Sequence, residues 1–130
     1  VYDMVRVVNQ STGWDREDYG FLGSKSDAVV LQMANPDVDD AVVARLEGFD
    51  RLRELDLSGT RVTDEGLKAL RGLPALATLR LKDTKITDAG FKESLAGMDS
   101  LARLDLTGTA VADETVDAWR AAKPGRRAMK

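Results

Sequence analysis

The chain has 130 residues, 43% of them hydrophobic, which is the size and composition of one globular domain rather than a disordered chain. It contains no cysteine and no histidine, which excludes disulfides, thiolate zinc sites, cysteine nucleophiles and histidine acid–base chemistry. Residues 1–119 hold 14 basic and 22 acidic residues, a net of −8, against +5 over residues 120–130. An acidic body that repels nucleic acid is therefore expected, and no run reaches the ~18 uninterrupted apolar residues of a membrane span.

Taken from the N-terminus, the chain begins at Val1 rather than Met, as a processed or trimmed piece of a longer protein would. In residues 1–27, Val5-Arg-Val7 alternates like Leu31-Gln-Met33, as a short strand does. Trp14, Tyr19 and Leu22 stand 24 residues before Val38, Val43 and Leu46. This segment is either a degenerate copy of the unit that follows or a separate capping hairpin with a loop around Gln10-Ser-Thr-Gly13.

From residue 28 the chain repeats. Ala28-Val-Val-Leu31-Gln-Met33-Ala-Asn-Pro36-Asp-Val38 is answered 24 residues on by Leu52-Arg-Glu-Leu55-Asp-Leu57-Ser-Gly-Thr60-Arg-Val62. The same pattern returns as Leu76-Ala-Thr-Leu79-Arg-Leu81-Lys-Asp-Thr84-Lys-Ile86 and as Leu101-Ala-Arg-Leu104-Asp-Leu106-Thr-Gly-Thr109-Ala-Val111, at offsets of 24 and 25. The second halves repeat as well. Thr63-Asp-Glu-Gly-Leu67-Lys-Ala-Leu70 matches Thr87-Asp-Ala-Gly-Phe91 and then Leu95, with one extra residue between Phe91 and Leu95. The units run over about 28–51, 52–75, 76–100 and 101–119.

The pattern L-x-x-L-x-L-x-x-T-x-V-T-D-x-G-L-x-x-L resembles the leucine-rich repeat family. It is closest to bacterial-type repeats and similar to those of F-box-type adaptors. The resemblance implies an α/β solenoid with short parallel strands on a concave face and short helices on a convex one. Elementary chemistry points the same way. Leu55 and Leu57 share one face of a strand, and Leu67 and Leu70 share one face of a helix. Thr63 and Thr87 are good N-caps, with Asp64 and Asp88 near the positive helix end. Gly48, Gly72 and Gly97 stand where a left-handed helix terminator is wanted. One coil cannot bury its own apolar stripe, so stacked coils must form the core.

Thr60, Thr84 and Thr109 are expected to point inward and bond turn backbone coil after coil, whereas Pro36 cannot, which predicts an irregular first unit. In the last unit Ala112 replaces the N-cap Thr, leaving Asp113 as the candidate cap. Trp119 reads as a lid on the final coil. Residues 120–130 form a basic tail, either a solvated, frayed end or a weak attractor of anions.

Asn35-Pro-Asp37-Val-Asp39-Asp40 superficially resembles a calcium loop, but Gly is missing at its sixth position and Glu at its twelfth. The periodic acids Asp40, Asp64, Asp88 and Asp113 occupy one equivalent position per unit, unlike a catalytic pair with separated environments. No phosphate loop or nucleophile elbow is present. No catalytic residue, metal or cofactor is expected.

The strand register predicts an outward face carrying Glu54, Asp56, Thr78, Arg80, Lys82, Arg103 and Asp105. Arg80 falls between two carboxylates, as a self-satisfied ionic ladder or as a charged patch for a protein or peptide. The expected function is a non-catalytic protein-interaction module, monomeric, without nucleic acid. The alternative is the recognition domain of a larger enzyme or adaptor whose catalytic part is elsewhere.

Overall fold

The computed structural model describes residues 7–9, 30–34 and 36–130. Six short strands pair in chain order into one parallel sheet: β1 (Val7–Asn9), β2 (Val30–Gln32), β3 (Glu54–Asp56), β4 (Thr78–Arg80), β5 (Arg103–Asp105) and β6 (Arg127–Met129). Between them the chain returns through α1 (Asp40–Val43), α2 (Asp64–Leu70), α3 (Asp88–Gly90) and α4 (Asp113–Ala122). This is the α/β solenoid with a parallel sheet that the repeat implies. The sequence offset is also the sheet register: Leu31, Leu55, Leu79 and Leu104 stand opposite one another on successive strands. All four are buried, together with Leu57, Leu81 and Leu106 two residues further on.

The helical returns close the core from the other side. Leu67 and Leu70 of α2, Phe91 and Leu95, and Val116 and Trp119 of α4 are buried in one continuous cluster with the strand leucines. The extra residue of the third unit is absorbed as a π turn at Phe91–Leu95, where the Ala96 amide donates to the Phe91 carbonyl at 3.0 Å. The first unit is irregular, since α1 is a single turn that continues as a 3₁₀ turn at Ala44–Leu46. Asp39 stands where later units have Thr and caps α1, accepting from the Val42 amide at 3.2 Å.

Successive coils are joined by a carboxylate clasp. Asp40 accepts from the Thr63 amide at 2.8 Å through one oxygen and from the Thr63 hydroxyl at 2.5 Å through the other. Asp64 repeats this on Thr87 at 2.8 and 2.6 Å. The carboxylate lies against the glycine three residues after that Thr: a Cβ at Gly66 would stand 2.5 Å from Asp40 Oδ1, and one at Gly90 would overlap the Asp64 carboxyl. The Asp and Gly of the T-D-x-G motif are thus one device split between neighbouring coils. At the last junction Ala112 supplies only its amide, 3.0 Å from Asp88 Oδ1. Thr115, which occupies the glycine position, sets its hydroxyl beside Asp88.

Several local expectations are corrected. Of the three presumed helix terminators only Gly48 is left-handed (φ 92°); Gly72 and Gly97 are not. Positive φ falls instead in the turn after the strand, at Gly59, Asp83 and Gly108. Asp113 does not cap α4, because the N-cap is Ala112, which makes no side-chain cap bond. The threonine expectation holds: Thr60, Thr84 and Thr109 donate, coil after coil, to the turn carbonyls of Leu57, Leu81 and Leu106, each at 2.7 Å. The first strand is Val7–Asn9 rather than Val5–Val7, with Val8 opposite Leu31. Its pairing with β2 is parallel. Trp14, Tyr19, Leu22 and the loop around residues 10–13 lie outside the described residues. Residues 120–130 are not a frayed end, since α4 continues to Ala122 and β6 pairs with β5.

Because the clasp leaves no room for a methyl group, Gly90→Ala should destabilise by about 1–3 kcal/mol in chemical denaturation. Gly97→Ala, with open space at its Cβ position, should be neutral or stabilising by up to about 1 kcal/mol.

The hydrogen bonds from Thr115, Ala112 and Lys92 pull the Asp88 carboxyl from 3.8 down to about 2. A carboxyl lowered on folding stabilises the protein above its unfolded pKa and loses that contribution as pH falls through the folded one. Asp88→Asn should therefore melt below wild type at pH 6, with the gap closing between pH 4 and pH 2. Thermal melts across that range measure it.

Candidate functional site

On β3, β4 and β5 the central leucine turns inward and its two neighbours turn away from the helices. The outward residues form two rows across the sheet. One runs Val30, Glu54, Thr78, Arg103, Arg127; the other runs Gln32, Asp56, Arg80, Asp105, Met129. All seven residues expected on this face from the sequence are solvent-accessible on it or in the turn just beyond. Glu54, Arg80, Lys82 and Arg103 are exposed, and Asp56, Thr78 and Asp105 are half-buried.

The ionic ladder does not form. Register puts Asp56 and Asp105 on either side of Arg80, but both acids fold back on their own turns. Asp56 accepts from the Ser58 amide at 3.0 Å. Asp105 accepts from the Thr107 amide at 3.1 Å and from its hydroxyl at 2.7 Å. A short side chain that bonds two residues ahead is locally satisfied, and it gives up the cross-strand partner. Among the described residues, Arg80, Lys82, Arg103 and Arg127 make no ion pair within 4.0 Å.

The C-terminal segment extends this face. The β6 backbone is seated by bonds from the Arg127 amide to the Ala102 carbonyl and from the Leu106 amide to the Met129 carbonyl, both 2.8 Å. Ala128 packs on the core in the place held by leucine in earlier coils. Two contacts anchor the segment ahead of it. Lys123 donates to Asp99 at 2.8 Å, and that bond holds the Asp99 carboxyl below the usual carboxylate range. The Arg126 guanidinium stacks over the Trp119 ring at 4.4 Å and donates to the Trp119 carbonyl at 2.7 Å. Trp119 is the buried lid expected of it, with Arg126 as its cover.

The result is a groove of about 540 Å³ over β4, β5 and β6, lined by Arg80, Arg103, Arg120, Arg126 and Arg127 with Asp105 as its one acid. Sequence reasoning reached Arg80, Arg103 and Asp105 but missed Arg126, Arg127 and Met129. The signal for them was the 24-residue offset from Leu104 to Ala128, which a small residue at the core position hid.

The periodic acids take no part in this site. Asp40, Asp64 and Asp88 are the inter-coil clasps at the helix starts. Asp39 and Asp40, the centre of the superficial calcium loop, are engaged as a helix cap and a clasp.

Residues 50–111 match the family model described as leucine rich repeat. Leiomodin-1 actin-binding site 2 is similar in structure at a TM-score of 0.65 and 18% sequence identity, over 88% of this chain and 78% of that one. Among curated proteins none matches the sequence. The fold is a leucine-rich repeat solenoid.

Since Arg80 is exposed and has no ion-pair partner among the described residues, its removal breaks nothing that holds the sheet. Arg80→Ala should shift the unfolding free energy by no more than about 0.5 kcal/mol. A urea titration of the variant against wild type tests this.

Proposed function

We propose that this leucine-rich repeat solenoid is a non-catalytic protein-interaction module that binds its partner through the outward face of the sheet. The observation that carries the reading is the unpaired state of Arg80, Lys82 and Arg103 among the described residues, because the acids that register brings beside Arg80 are turned into their own loops. The strand register fixes where each arginine stands, and its planar fork offers a carboxylate paired donors. The neighbour of similar fold is an actin-binding site, which supports protein as the class of partner. Fold likeness alone is a weak warrant for function, so the weight rests on the residues.

The test compares recovery of a partner from native cell extract by the immobilised chain and by two folded variants. Arg80→Glu/Lys82→Glu alters the strand face. Lys68→Glu alters exposed α2, where Lys68 pairs only with Glu65. A partner recovered by wild type and Lys68→Glu should be lost from the strand-face variant. Equal recovery by both variants would place binding elsewhere.

A further inference from the structure

The outward rows do not carry their charge evenly. Arg103 and Arg127 stand directly opposite each other on neighbouring parallel strands, about 4.8 Å apart in backbone terms. Like charges so placed cost stability. No acid among the described residues relieves them, although 22 acids were available to the chain. Arg80 lies one strand over and two residues further along, opposite Asp105. That acid is occupied by Thr107. Arg126 adds a guanidinium already fixed by the Trp119 ring and carbonyl. Beside this cluster, Met129 is 59% exposed, the one large hydrophobic side chain so exposed among the described residues.

We propose that the groove over β4–β6 is a docking site for a short, extended acidic segment of a partner protein, with carboxylates at alternate positions. The proposal rests on the strand-face reading and specifies its partner. Alternate side chains of an extended peptide are about 6.6 Å apart on one face, a spacing that reaches from the Arg103–Arg127 pair to the Arg80 row. Guanidinium forks match carboxylates in a bidentate manner. A nucleic acid fits less well. Its phosphates recur every few ångströms along its whole length, and beyond the groove they meet a body of net charge −8 over residues 1–119. A segment of a few residues ends where the arginines end.

The test uses the full chain and a fluorescein-labelled short peptide of alternating Glu and Ser, read by fluorescence anisotropy at physiological ionic strength. The comparison probes are the same peptide with Gln for Glu and an oligothymidylate of equal charge. Wild type should bind the Glu peptide at least about tenfold more tightly than either. Arg127→Glu sets a carboxylate opposite Arg103, so it should melt no lower than wild type yet lose about tenfold or more in peptide affinity. Arg127→Gln, which adds no new charge, should lose affinity in the same direction. Undiminished binding by both variants, or oligothymidylate binding as tight as the Glu peptide, overturns the proposal. If the Glu peptide fails while the Arg80→Glu/Lys82→Glu variant still loses its cellular partner, this inference alone falls and the strand-face function stands.

Discussion

Two successive junctions of this solenoid are held by a carboxylate of one coil that lies on a glycine of the next. Asp40 on Thr63 and Asp64 on Thr87 each satisfy a backbone amide and a hydroxyl that a helix start would otherwise leave open. Gly66 and Gly90 are without side chains because the carboxylate of the preceding coil occupies that space. The clasp sets the stacking distance on the helix side while the strand hydrogen bonds set it on the other. With both edges pinned, the leucines of neighbouring coils meet in register and the core becomes continuous. At the last junction Ala112 brings only its amide, with the Thr115 hydroxyl beside Asp88 from the glycine position.

A stack pinned in this way fixes where outward side chains stand, and the function follows from that rigidity. The rows across the sheet are set by strand register rather than by side-chain pairing. Charges can therefore remain unpaired on it without loosening the fold. The acids Asp56 and Asp105 are drawn into local turns, which leaves Arg80 and Arg103 without an ion pair among the described residues. The positive character of the C-terminal third of the face is thus a product of turn chemistry as much as of composition.

The end of the solenoid is where cap and binding surface merge. An open last coil would expose its apolar edge, and here Trp119 covers it, with Arg126 stacked on the ring and Ala128 closing the sheet. The same short segment carries Arg127 and Met129 outward. The segment after α4 therefore also enlarges the charged groove, bringing Arg126 and Arg127 to it.

The repeat offset by itself determined the architecture. Leucines spaced 24 or 25 residues apart can be buried together only if each unit makes one coil. Strand positions, outward residues such as Arg80 and Arg103, and the place of the extra residue between Phe91 and Leu95 were therefore legible in the order of the amino acids. Tertiary structure alone decided the partners. Asp56, Arg80 and Asp105 are the right charges at the right spacing for a ladder. The carboxylates nevertheless bond turn amides two residues away, a competition settled by side-chain reach that a pattern of letters does not encode. The role of Asp64 was similarly hidden, because its partner lies 23 residues on, in the next coil, and not in its own helix. The sixth strand escaped because a strand of three residues with alanine at its core position carries almost no hydrophobic signal. It exists because the β5 edge and the Trp119 lid offer its backbone and Ala128 a place to dock.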